Sequence, residues 1–158
     1  MQKISPFLWF DGKVEEAIHY YTSVFRNSKI KDVRNHPDER PGKKGQVFTA
    51  TFELEGVEFM ILDGGPYYKI ENPAISFFVK CKDQAEVDEL WDKIAEEGTP
   101  SRCGWITDKY GVSWQIIPDA LGKCLGGADP AGAQRAMQAM MKMVKLDVAG
   151  LEAAYNNK

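Results

Sequence analysis

The sequence predicts an α+β fold: two βαβββ modules whose strands curve into a mixed-sheet cup, followed by a C-terminal helical tail. Three observations carry this. First, a strand-like opening, KISPFLWF, ends at Asp11-Gly12, and Val14, Ala17, Ile18, Tyr21 and Phe25 then fall at helical spacing. Second, the pattern restarts about 70 residues later, laying Phe7 on Phe77, Ala17 on Val87 and Tyr21 on Trp91. Third, apolar residues at helical spacing continue well beyond the last strand.

In the first module, strands follow the helix at KIKDVRNH, QVFTATFELEG and VEFMILD, the last closed by Gly64-Gly65-Pro66. Glu55-Gly56 joins two of them as a tight hairpin. In the second module AISFFVKC is the opening strand and DQAEVDELWDKIAEEG the helix. Asp83 is its N-cap, Val87, Leu90, Trp91 and Ile94 form its buried stripe, and Gly98 stands at its end. Short strands follow around PSRCGWITD and VSWQIIP. Asp108-Lys109-Tyr110-Gly111 between them suits a type I turn with Gly111 at positive φ, which sets Asp108 opposite Val112. Alternation from that register puts Cys103, Trp105, Ser113, Gln115 and Ile117 on one face and Trp114 and Ile116 on the other. The boundaries expected are 1–66 and 67–119 for the modules and 120–158 for the tail, all within one structural domain.

In the tail, Asp129-Pro130 is an N-cap with a first-turn proline, and Met137, Met140, Met141 and Val144 make a stripe. Asp147 can cap a second short helix carrying Val148, Leu151, Ala154 and Tyr155. Left exposed, the methionine stripe would be a contiguous apolar patch of the kind soluble monomers avoid, so a homodimer with the tail in its interface is expected.

Composition narrows the function. A chain of 158 residues, 44% hydrophobic and 27% charged, buries about two thirds of its unfolded surface and needs neither metal nor disulfides to fold. Its net charge of -3 argues against nucleic-acid and anionic-membrane partners. No apolar run reaches membrane-spanning length, and the opening residues lack a signal-peptide pattern, so a cytoplasmic location is expected. Three cysteines without a C-x-x-C pair encode no disulfide scaffold or structural zinc site. The two histidines, His19 and His36, are read as solvated surface residues. No nucleophile elbow, P-loop or H-E-x-x-H pattern occurs, and no catalytic residue is assigned.

Three blocks, SPFLWFDGKVEEAIHYYTSVF, CGWITDKYGVSWQIIP and AMMKMVKLDVAGLEAAY, together with the repeated module, resemble the vicinal oxygen chelate superfamily. This superfamily includes glyoxalase I, bleomycin-resistance proteins and extradiol dioxygenases. The closer resemblance is to its PhnB-like branch, labelled 3-demethylubiquinone-9 3-methyltransferase-like. For metal-using relatives the resemblance implies ligands from the first and last strand of each module. Here those positions fall on Ile4 to Pro6, near Leu62, on Ala74 or Ser76, and on Gln115. Of these, only Gln115 is a coordinating type, so no metal is expected. Nor is a cofactor. Ile61-Leu62-Asp63-Gly64-Gly65 is followed by Pro-Tyr-Tyr and a strand rather than by a helix that could receive S-adenosylmethionine.

The reading that follows is metal-free binding of a small planar or amphipathic molecule in the cup. The lining expected is Met60, Ser76, Phe78, Cys103, Trp105, Ser113 and Gln115. The alternative is a superfamily lyase, isomerase or dioxygenase, which would need Glu58 or Asp63 to join Gln115 through another register.

Overall fold

The computed structural model describes residues 2–37 and 41–158. The stretch 38–40, inside the Pro/Gly/charge-rich loop, lies outside the described residues. The chain divides into two compact units, Met1–Ile70 and Glu71–Lys158.

The first unit runs β1 (Phe7–Phe10), α1 (Val14–Val24), β2 (Ser28–Asn35), β3 (Val47–Leu54) and β4 (Val57–Asp63). Its sheet has the order β1-β4-β3-β2, with β1 parallel to β4 and the other pairs antiparallel. Alternation along β1, the second half of β3 and β4 divides its two faces. Leu8, Phe10, Ala50, Phe52, Leu54, Phe59 and Ile61 are buried together with Val14, Ala17, Ile18, Tyr21 and Val24 of α1. Tyr21 stacks on Phe52 at 5.8 Å and Phe52 on Phe59 at 5.5 Å between ring centroids, so aromatic contact across helix and strands organises this core. The hairpin at Glu55-Gly56 takes φ of 49° and 83°, the left-handed pair a two-residue type I′ turn requires.

The second unit runs β5 (Phe77–Cys81), α2 (Gln84–Ala95), β6 (Thr99–Pro100), β7 (Trp105–Thr107) and β8 (Ser113–Pro118). The tail follows as α3 (Asp119–Leu125), α4 (Pro130–Met140) and α5 (Val148–Asn156). The sheet order β5-β8-β7-β6, with β5 parallel to β8, repeats that of the first unit, so the repeat read from the letters is a repeat of topology. Asp83 caps α2 by accepting from the Glu86 N–H, and Val87, Leu90, Trp91 and Ile94 are its buried residues. The turn at 108–111 has Gly111 at φ 93°, and the Asp108 N–H donates to Val112 O at 2.9 Å.

The tail packs on its own unit. Ile117, Leu121, Cys124, Ala136, Leu146 and Leu151 form one buried cluster, with Met140, Met143 and Tyr155 packed against it. Asp129 and Asp147 cap α4 and α5 through their side chains. The expected single methionine stripe is not one surface. Helix α4 stops at Met140, which faces the cluster, while Met137, Met141 and Val144 are exposed. The stripe was extrapolated past the point where the helix ends.

Between α4 and α5 the chain forms a strap. Cys103 and Gly104 donate their N–H groups to Met143 O and Val144 O at 2.9 and 2.8 Å. On the helix side, the Gln84 side-chain amide donates to Leu146 O and its carbonyl accepts from the Val148 N–H, while Lys145 pairs with Asp88 at 2.9 Å.

Candidate functional site

Three strands of the second unit present one face opposite α2. The register pairs Phe78 with Gln115 and Gln115 with Trp105, so these three form a row across β5, β8 and β7. One step along lie Ser113 and Thr107, paired with each other, and Ser76 just before β5. One step the other way, Ile117 is buried under the tail. Phe77, Ile106, Trp114 and Ile116 have the opposite parity. Trp114 packs against Phe77 at 5.3 Å.

The expected site residues are distributed as follows. Ser76, Trp105 and Gln115 are half-buried, Ser113 is buried, and Phe78 is 58% exposed. The Gln115 side-chain N–H donates to Ser76 Oγ at 3.0 Å, which joins β8 to the approach of β5. Cys103 does not belong to the strand. It sits in a turn at φ 59°, so the alternation expected to carry its side chain alongside Trp105 ends at β7. Met60 lies in the first unit, on the solvent-side parity of β4, paired with Phe7 on one side and Thr51 on the other.

Around Met60 the first unit builds an aromatic face. Phe7 and Trp9 share a parity on β1, and Trp9 meets the Tyr68 ring edge-on at 4.9 Å. The Trp9 indole N–H donates to Gly65 O at 2.9 Å. Gly64 is pressed so closely on the indole that a Cβ there would come within 2.3 Å of ring carbons. Gly64 is therefore explained by the tryptophan it accommodates. Trp9 and Tyr68 were not among the expected site residues, although the exposed–buried alternation of FLWF places Trp9 beside Phe7.

His36 is buried, contrary to the solvated position expected for it. Its Nε2 donates to Asp63 Oδ2 at 2.9 Å, and its ring lies 4.7 Å from that of Phe48. The Lys43 ammonium reaches the same oxygen at 3.0 Å, and the Gly12 N–H donates to Asp63 Oδ1 at 2.8 Å. Burial alone would raise the Asp63 pKa, but the Gly12 N–H, Lys43 and His36 outweigh it and hold the carboxyl at about 2. Asp63 is thus committed to this cluster, on the parity opposite Met60 and Leu62, and Glu58 to an ion pair with Lys31 at 2.7 Å. Burial pushes the Cys81 thiol up to about 12, aided by Glu86, and raises that of Cys124. Neither is a nucleophile at neutral pH.

With this geometry in hand, the family comparison is decisive. The model of the 3-demethylubiquinone-9 3-methyltransferase family matches residues 2–117. The chain belongs to this family. Among solved structures, it is 40% identical to the PhnB protein of Bacillus cereus, which covers 74% of this chain and 99% of its own, with a TM-score of 0.68. Protein PA1353 of Pseudomonas aeruginosa is 22% identical, covering 75% of this chain and 98% of its own, with a TM-score of 0.63. The fosfomycin resistance protein FosX of Listeria monocytogenes is 14% identical, covering 75% and 93%, with a TM-score of 0.53. No protein of curated function matches the chain. The fold is that of the vicinal oxygen chelate superfamily, and this is a PhnB-like member of it.

Family membership implies two groups that the residues can be tested against. At the positions where the superfamily places metal ligands, Leu62 and Ala74 carry no donor, and Ser76 and Gln115 are neutral and hydrogen-bonded to each other. Among the described residues no three His, Cys, Asp or Glu side chains stand together as a metal-holding set. This donor set does not fit a divalent cation. Nor do the residues after β4 fit S-adenosylmethionine by the familiar strand–glycine–helix arrangement. Gly64-Gly65 leads through residues 66–76 to β5 with no helix between.

Proposed function

We propose that this PhnB-like chain binds a small planar or amphipathic molecule without a metal, acting as a homodimer in the cytoplasm. The ligand-contacting residues in this reading are Ser76, Phe78, Cys103, Trp105, Ser113 and Gln115, all on the second unit. The observation that carries this reading is the Phe78–Gln115–Trp105 row. It is a half-open strip with aromatic carbon on both sides of a single amide, the composition of small-molecule sites.

Thermal-shift titration against planar aromatics, quinones and phosphonates tests it. A ligand held at about 100 times its Kd stabilises the folded state by about 2.7 kcal/mol, which raises Tm by several degrees for a chain of this size. No response from any class overturns the binding reading. Static light scattering tests the dimer, and a monomeric mass at micromolar concentration overturns it.

A further inference from the structure

The second unit's open face is graded along the strands. At one end is a row of hydroxyls, Ser76, Ser113 and Thr107; next comes the Phe78–Gln115–Trp105 row; at the other end Ile117 is sealed beneath Leu146 of the strap. Two features of the hydroxyl row stand out. Ser113 is only 6% exposed, yet its hydroxyl has no hydrogen-bond partner among the described residues. Gln115 uses one N–H on Ser76 Oγ, while its carbonyl oxygen has no partner among the described residues, and neither has the Ser76 proton. The Ser113 oxygen is not sealed from the surface, so an incoming group can supply its bond.

We propose that this face recognises a neutral planar ring carrying a hydroxyl or carbonyl on one edge. The ring lies along Phe78 and Trp105, and its oxygen is read by Gln115 and Ser113, with Ser76 holding the Gln115 amide in position. This rests on the small-molecule reading above and names its ligand class. The chemistry of the pair is the reason. A Gln amide and a serine hydroxyl each donate and accept, so together they match a hydroxyl, which does both, or a carbonyl, which accepts, without the formal charge an anionic group would demand. Where metal-using relatives would place a cation, this chain places a neutral donor–acceptor pair. A phosphonate or carboxylate held by Gln115 and Ser113 would lose hydration there without gaining a counter-ion, since Lys80, the cation of the same parity on β5, stands at the opposite end of the face beside Ile117.

Isothermal titration of the full chain with three probes of one shape tests this: 2-naphthol, naphthalene and 2-naphthoate. The expected order is 2-naphthol tightest, by about tenfold over naphthalene, the worth of one or two well-placed hydrogen bonds. 2-Naphthoate is expected to be no tighter than naphthalene. Gln115→Leu is expected to abolish the preference for 2-naphthol while leaving naphthalene within about threefold, and Ser76→Ala to reduce that preference by a smaller factor. Trp105→Ala should weaken both neutral probes alike. A preference that survives in Gln115→Leu, or tightest binding of 2-naphthoate, overturns the assignment but leaves small-molecule binding standing. Binding of none of the three probes to the unmodified chain overturns the assignment, and silence in the wider thermal-shift panel overturns the parent reading as well. Circular dichroism of each variant separates loss of fold from loss of recognition, and Ser76→Ala, the smaller change, decides the matter if Gln115→Leu does not fold.

Discussion

In the first unit, Asp63 ends β4 and is held by two cationic or cation-capable side chains and the backbone of a turn, 20, 27 and 51 residues away in sequence. In the second unit, Asp108 is equally buried but is satisfied within six residues. It accepts from the Tyr110 and Val112 N–H groups at 2.8 and 3.1 Å and from the Trp114 indole N–H at 2.9 Å. One carboxylate pins three distant pieces of chain together, β4, the β1–α1 turn and the β2–β3 connection. The other shapes a single turn. The same residue type, buried to 2% and 4% exposure, therefore serves long-range closure in one unit and local geometry in its repeat.

The comparison breaks most sharply at Asp63. Asp63→Ala leaves His36 and Lys43 facing each other without their anion, and should cost about 4 kcal/mol in urea unfolding. The same group sets an acid limb. Because its pKa is depressed in the folded state, its contribution, about 2 kcal/mol, is fully present above the ordinary carboxylate value of 3.8 and is lost as pH falls toward about 2. Asp63→Asn should flatten stability across that window in denaturation curves taken at successive pH values, and an unchanged acid limb would remove Asp63 from the explanation.

Asp108→Ala comes next, at about 3 kcal/mol, since it strands three N–H donors that face one buried carboxylate. Asp108→Asn should recover part of this, because an amide oxygen still accepts from the turn. The smaller steric test is Gly64→Ala, expected to cost about 2 kcal/mol because the added methyl meets the Trp9 indole. Gly65, with φ of 84° and a side chain no nearer than 3.6 Å, fails for a different reason, its backbone. The least effect is expected at Gln84→Ala, about 1 kcal/mol, which unclips the strap from α2. Amide exchange should then quicken at Cys103 and Gly104 while the β3–β4 ladder is unchanged. Uniform quickening would mean that the strap does not act locally.

These contrasts explain what could be read from the letters. The Asp108 turn was legible because the N–H groups it accepts from, those of Tyr110, Val112 and Trp114, lie within six residues and Gly111 marks the positive φ. The modules were legible because strand and helix periods repeat with the same spacing. The Asp63 cluster was not, because nothing near His36 announces a carboxylate 27 residues on, and a histidine beside a charged loop looks solvated. On the open face, Ser113, Gln115 and Trp105 followed from alternation within regular strands. Cys103 did not, because alternation has no meaning at a left-handed residue. Trp9 could have been found by applying to β1 the alternation applied to β8. The helix α4 was read one turn too long because methionines continue at helical spacing where the backbone turns toward Cys103.

The strap also bears on the order in which the protein can be completed as it is made. Everything the family model covers is synthesised before Leu146 and Leu151, and Ile117, at the end of that stretch, is buried in a cluster with those residues of the tail. During that interval the second module carries an uncovered apolar end, and a nascent chain stalled there presents a sticky surface to chaperones or to other chains. The tail residues, made after the sheet, cover that apolar end, so truncation within the tail would be felt as lost yield of protein before it was felt as altered chemistry.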